Sequence, residues 1–294
     1  MDLLVFGLVA ASAILHVTWN VLVKTSGDPL RAAGIGMAVG GLVLPPIAFA
    51  RWLAVGQPAV PSEAIAIAVV SGALEALYVV VLAAAYRHGD LSIVYPLARG
   101  TATLLAVAIG IGILGERLGP LATLGLVALL VGFFALQRPW RAFRRVGGHR
   151  GGGIDRGVAL ALLCGVLIAT YSAIDRVGTR LTEPLVYGAI LWATTAVVIV
   201  LVIAARSSPA AVVPRDRRIV VGGLIMTTQY MAVLIALSLA PLTAVAPLRE
   251  SAVVLATSWG ALRLGEAAHR REAFWRIGAA ALIVVGAVLL ALER

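Results

Sequence analysis

Long apolar runs, each closed off by charge, glycine or proline, recur along the whole chain. Their limits predict helices at about 3–23, 31–50, 64–86, 91–114, 119–136, 157–175, 185–205, 218–239, 243–262 and 274–292. A bilayer core of roughly 30 Å takes about 20 apolar residues per helical crossing. Ten crossings joined by short loops therefore fill the chain and leave little for an extramembrane domain. The longest polar stretch, Gln137 to Arg156, carries six arginines and the run Gly151, Gly152 and Gly153. It divides the sequence into 1–137, a basic glycine-rich linker 138–156, and 157–294. The first run, MDLLVFGLVAASA, has small residues at Ala11 and Ala13 that mimic a cleavage site. It has no positive segment before it and continues to Val23, which predicts an uncleaved first membrane helix.

The fourth and ninth runs repeat one another. LSIVYPLARGTATLLAVAIGIGILGERL begins at Leu91 and LTAVAPLRESAVVLATSWGALRLGEAA at Leu242. With one single-residue gap, Leu91, Ser92, Val94, Pro96, Leu97 and Gly115-Glu116 fall on Leu242, Thr243, Val245, Pro247, Leu248 and Gly265-Glu266. Tyr78 and Tyr230 precede their prolines at about the same distance. Trp19 and Lys24 match Tyr171 and Arg176, and Pro29 and Pro184 each open the next helix, where a missing N–H costs least. Two copies of a five-helix unit are implied. An odd number of crossings makes the second copy enter the membrane from the opposite face. The expected fold class is thus an all-α membrane protein of ten transmembrane helices arranged as two inverted five-helix repeats, with a site near the midplane between them.

Composition agrees: 61% of the 294 residues are hydrophobic and 13% charged, with mean hydropathy +1.00. Soluble domains are not that apolar. The net charge of +10 resides in short loops rather than on a soluble face, so it implies topology and no nucleic-acid partner. With alternating crossings, seventeen Lys and Arg residues fall on the face of the central loop and five on the other. That bias predicts a cytoplasmic central loop and outward-facing termini. Cys164 stands alone, so neither a disulfide framework nor a cysteine metal site is expected. No nucleophile elbow, zinc-binding H-E-x-x-H or phosphate-loop lysine motif is present. No cofactor and no metal are expected, and neither is an ATP-driven pump.

Ionisable groups at membrane depth are expensive and hence functional candidates. Glu75 lies mid-helix in SGALEALYVVV; it either couples solute movement to a proton gradient or pairs with a basic group that holds helices together. Arg99 and Arg249 follow the repeat prolines, and Glu250 aligns with Arg99. An Arg99–Glu250 pair is one reading, and binding of a carboxylate or phosphate between them is the other. His16, Trp19 and Asn20 share one face of the first helix, too polar for lipid. Trp19 with Tyr171, and Tyr78 with Tyr230, would make an aromatic lining in which Gln229 joins Tyr230. The bland alternatives are a satisfied core histidine and interfacial aromatic anchors. Glu116 and Glu266 follow glycine at the ends of apolar runs, where a structural role is expected.

The ten-helix plan, the doubled unit, and the order Tyr, Pro, Gly-Glu in both copies resemble the EamA branch of the drug/metabolite transporter superfamily. The HVTWNVLVK stretch of the first helix also looks like an H-x-x-W-N segment of some members. The resemblance covers nearly the whole chain and implies a secondary carrier of a small metabolite or drug-like solute, working by alternating access and not an enzyme. No catalytic set transfers with it. Relatives are generally drawn with both termini in the cytoplasm, opposite to the orientation that the charge count predicts. The expected partners are a small-molecule solute and the lipid bilayer of a bacterial-type cytoplasmic membrane, with the chain a monomer or weak homodimer. A lipid flippase and an integral membrane enzyme are the competing classes.

Overall fold

A computed structural model describes residues 3–24, 29–89, 91–137, 156–206, 216–249 and 270–292. Ten helices and no strand occur among them: α1 Leu3–Lys24, α2 Pro29–Ala54, α3 Ser62–His88, α4 Leu91–Gly112, α5 Pro120–Gln137, α6 Arg156–Leu181, α7 Pro184–Arg206, α8 Arg217–Leu239, α9 Leu242–Arg249 and α10 Arg270–Leu292. Pro29, Pro120 and Pro184 open α2, α5 and α7, the position at which the absent N–H is already surplus. Asp216 caps α8 by accepting the Arg218 amide at 2.8 Å. Prolines also lie inside α2, α4 and α9. Neighbouring helices can compensate for the backbone groups that prolines free in a membrane bundle.

The sequence-predicted limits hold to within a few residues except in two helices. The sixth runs to Leu181 instead of ending at 175, because the charges taken as its end, Asp175 and Arg176, find partners inside the bundle. The ninth is described only as Leu242–Arg249, and the rest of the expected span lies outside the described residues.

Among the described residues six helices are long and apolar enough to cross a membrane, and three shorter apolar helical segments accompany them: Leu3–His16, Pro120–Leu136 and Gly278–Leu290. Large side chains such as Leu42, Leu124, Leu201 and Val284 point outward, whereas Ser71, Asp175, Thr195 and Thr243 are sealed inside. That inversion of the soluble pattern is what a lipid solvent dictates.

Helix pairing follows one rule. α1 packs on α8 as α6 packs on α3, and α2 packs on α8 as α7 packs on α3. α2 meets α7 and α5 meets α10. Exchanging the first five helices for the last five leaves these pairs unchanged, whereas α4 packs on α6 more extensively than α1 on the described part of α9. Lipid tails provide little hydrophobic drive for helix association, so close backbone packing has to supply it. Gly223 of α8 lies against the Gly36 backbone of α2, and Gly72 of α3 against the Leu191 carbonyl of α7. Gly125 and Gly286 face one another where α5 crosses α10.

A side chain at position 286 would begin 2.5 Å from the Gly125 carbonyl oxygen and the Leu129 amide, so α5 and α10 would have to separate. Gly286→Leu is expected to destabilise the detergent-purified protein by about 2 kcal/mol, read as a lowered thermal unfolding midpoint. An unchanged midpoint would contradict the crossing.

Candidate functional site

Asp175 of α6 has no solvent exposure and is the centre of a polar cluster. Ser71 of α3 donates its hydroxyl to Oδ1 at 2.5 Å, and Tyr187 of α7 donates to the same oxygen at 2.8 Å. Tyr230 of α8 donates to Oδ2. Three hydroxyls from three helices thus converge on one carboxylate. Each bond is charge-assisted when Asp175 is ionised.

Glu75 lies one turn beyond Ser71 on the same face of α3 and is buried. Thr195 Oγ1 of α7 is 3.4 Å from Glu75 Oε2 and 3.0 Å from the Gly72 carbonyl oxygen. Asp175 is within electrostatic reach of Glu75. No basic side chain forms an ion pair with Glu75 among the described residues, so the pairing expected as one of its two roles is not found there.

The aromatic residues form a chain. Tyr78 and Tyr171 have ring centroids 6.1 Å apart, Tyr171 and Tyr230 6.2 Å, and Tyr230 and Trp192 6.4 Å. Three of the four aromatics expected to line the site, Tyr78, Tyr171 and Tyr230, are thus consecutive in this chain, with Tyr171 between the other two. Trp19, the fourth, meets His16 edge-on at 5.4 Å. Gln229 donates from Nε2 to Ser12 of α1 at 3.0 Å and also hydrogen-bonds His16.

Arg249, at the end of α9, places its guanidinium carbon 5.8 Å from the Tyr230 ring centroid, within cation–π range. Arg99 of α4 is buried and shares with Arg249, Thr103 and Ser172 the lining of a small pocket between α4, α6 and α9. The indole N–H groups of Trp19 and Trp192 are buried with no acceptor among the described residues. Glu250 and the Asn20 side chain lie outside the described residues, and with them the Arg99–Glu250 pair.

Of the residues named from the sequence, Glu75, Tyr171 and Tyr230 lie in or beside this cluster; Asp175, Ser71, Tyr187, Thr195 and Trp192, which complete it, were not named. Asp175 was detectable as an ionisable residue in ATYSAIDRVG, but ending the sixth helix at that residue put it at a helix end. Ser71 and Thr195 carry no sequence signal of their own, since hydroxyl residues are common in membrane helices.

No group of His, Cys, Asp and Glu among the described residues has an arrangement that would hold a metal ion. A family model described as "Sugar transport protein" matches residues 11–293. A solved structure titled only "Crystal structure of protein" superposes with a TM-score of 0.71 at 21% identity, over 99% of this chain and 98% of that one. At that identity it establishes the fold alone. No curated protein matches the sequence.

Removing the carboxylate would strand three buried hydroxyls at once. Asp175→Ala is expected to cost about 3 kcal/mol of stability, against about 1 kcal/mol for Tyr230→Phe, which removes one donor. Thermal unfolding in detergent measures both, and equal shifts for the two variants would contradict the hub.

Proposed function

The chain belongs to the sugar transport protein family, a family of membrane transporters, and on that premise we propose that it is a secondary carrier for a small polyhydroxylated solute. The observation that carries this reading is the Asp175 cluster: aromatic faces, a carboxylate hub, a second carboxylate and a glutamine, gathered in the interior of the bundle. Rings stack against the C–H faces of a sugar while carboxylates and amides take its hydroxyls. The indole N–H groups of Trp19 and Trp192 supply donors for its oxygens.

The carrier would work by alternating access. The shared pairings of α1 with α8 and α6 with α3, and of α2 with α8 and α7 with α3, support two related halves, and five crossings in each would give them opposite polarity. Rocking of one half against the other would then expose the cluster to each face in turn. In this reading ten crossings lie in the bilayer, with the basic central loop in the cytoplasm and the termini outside. The family match leaves the EamA branch as a reading of the Tyr, Pro, Gly-Glu signature alone.

Coupling to protons belongs to the Glu75 and Asp175 carboxyls. Two negative charges in one low-dielectric chamber repel strongly, so binding of a proton there and binding of the solute affect one another. Hydroxyls engage both oxygens of Asp175. Among the described residues the hydrogen bond of Glu75 is the longer Thr195 contact, which makes it the freer of the two to exchange a proton.

Purified protein in proteoliposomes is expected to accumulate a labelled monosaccharide when a proton gradient is imposed. Glu75→Gln is expected to abolish accumulation, a loss of at least about tenfold, while retaining sugar exchange at equal concentrations on both sides. Gradient-driven accumulation by Glu75→Gln at the wild-type rate would contradict the coupling role. Absence of flux for every monosaccharide tried would contradict the solute class.

A further inference from the structure

Glu116 follows α4 in the short connection to α5, and its carboxylate is almost wholly buried, with 8% of the side chain exposed. Its Oε1 accepts the Leu242 amide at 2.7 Å and its Oε2 the Thr243 amide at 2.9 Å. These are first-turn N–H groups of α9, which have no acceptor within their own helix. Arg176 of α6 closes the arrangement: Nε reaches Glu116 Oε1 at 3.2 Å, and Nη1 donates to the Leu237 carbonyl at the end of α8. One carboxylate therefore fastens the exit of α4 to α6, α8 and α9.

The backbone is shaped for this contact. Gly115 has φ of +65°, a conformation that glycine adopts without strain, and it turns the chain so that the Glu116 amide returns to the Gly110 carbonyl at 2.9 Å. A Cβ on Gly110 would stand 2.7 Å from Glu116 Oε2 and 2.6 Å from Thr243 Cγ2. Position 110 thus has room for the carboxylate only as glycine.

Both elements held by Glu116 lead to residues of the proposed solute site. Arg176 is next to Asp175 on α6. The described part of α9, Leu242–Arg249, starts at Glu116 and carries Arg249 about 10 Å further along at 1.5 Å per residue, with its guanidinium over Tyr230. With alternating crossings, the connections after α2, α4, α6 and α8 share one membrane face. Arg51 of α2 and Glu183, just before α7, pair at 3.1 Å on that same face.

We propose that Glu116 is the latch of a gate on this face, fastened in the state described here, and that it must release Arg176 and the start of α9 before the chamber opens on that side. Glu116 is a positioning residue; it touches no solute. The proposal rests on the carrier reading, in which α9 and α6 move relative to α4 during each cycle. A latch stabilises the closed state, so weakening it shifts the population toward the state open on that face and away from the state open on the other.

The test uses Ser172→Cys, which lines the pocket beside Arg249, in a Cys164→Ser background. Labelling by a membrane-impermeant maleimide is followed in sealed vesicles of both orientations. Adding Glu116→Gln is expected to raise labelling from the latch face about tenfold and to lower it from the opposite face, as loss of a charge-assisted bond allows. Gly110→Ala, which displaces the carboxylate without changing any charge, is expected to act in the same direction and serves if the first variant fails to fold. Unchanged labelling in a folded variant, or a rise from both faces together, would overturn the latch, the second outcome marking plain destabilisation. Wild-type sugar flux is measured on the same vesicles: its absence would count against the carrier reading, whereas the sidedness of labelling decides the latch.

Discussion

One constraint governs the interior, that a polar group buried in a lipid-bound bundle is costly unless it finds a partner within the protein. Asp175 meets that constraint with both of its oxygens. Its two oxygens take hydroxyls from α3, α7 and α8, so four helices are held in register by a single side chain. In the proposed carrier the same carboxylate also supplies chemistry: the hydroxyls that satisfy it are the groups a hydroxylated solute would replace or extend.

Around that hub, the rest of the fold is arranged to pack closely without being locked. Glycines meet where α2 crosses α8 and where α5 crosses α10, so backbones approach without interdigitated bulky side chains. Such surfaces can slide or tilt with fewer rotamer changes than a jigsaw of leucines. Charge appears at the edges, in Arg176 with Glu116 and Arg51 with Glu183. The division is physical: van der Waals packing brings the helices together, the Asp175 cluster sits inside them, and the ion pairs lie near the helix ends.

Much of this was legible in the sequence, because hydropathy in a membrane protein is nearly a direct record of which residues meet lipid. The spans, the proline starts of α2 and α7, and the buried place of Glu75 follow from apolar periodicity and the cost of intramembrane charge. The structural role expected of Glu116 is met by its bonds to Arg176 and α9. Asp175 was lost for an instructive reason. A charged pair at the end of an apolar run reads as a helix terminus, and only tertiary partners, hydroxyls for Asp175 and a carboxylate for Arg176, allow α6 to continue to Leu181. The order of the aromatic residues was not legible for a related reason: repeat symmetry identifies equivalent residues but not which of them touch, and only the packed helices put Tyr171 between Tyr78 and Tyr230.

The central claim is that Asp175 organises a chamber that receives the solute, and ligand-induced stabilisation tests it most directly. Detergent-purified wild type and Asp175→Asn, which keeps the shape and removes the charge, are heated with a panel of monosaccharides, since a solute that binds the folded state raises its unfolding temperature. The account predicts that at least one sugar stabilises the wild type and that the shift disappears in Asp175→Asn. An equal shift in both proteins would contradict it.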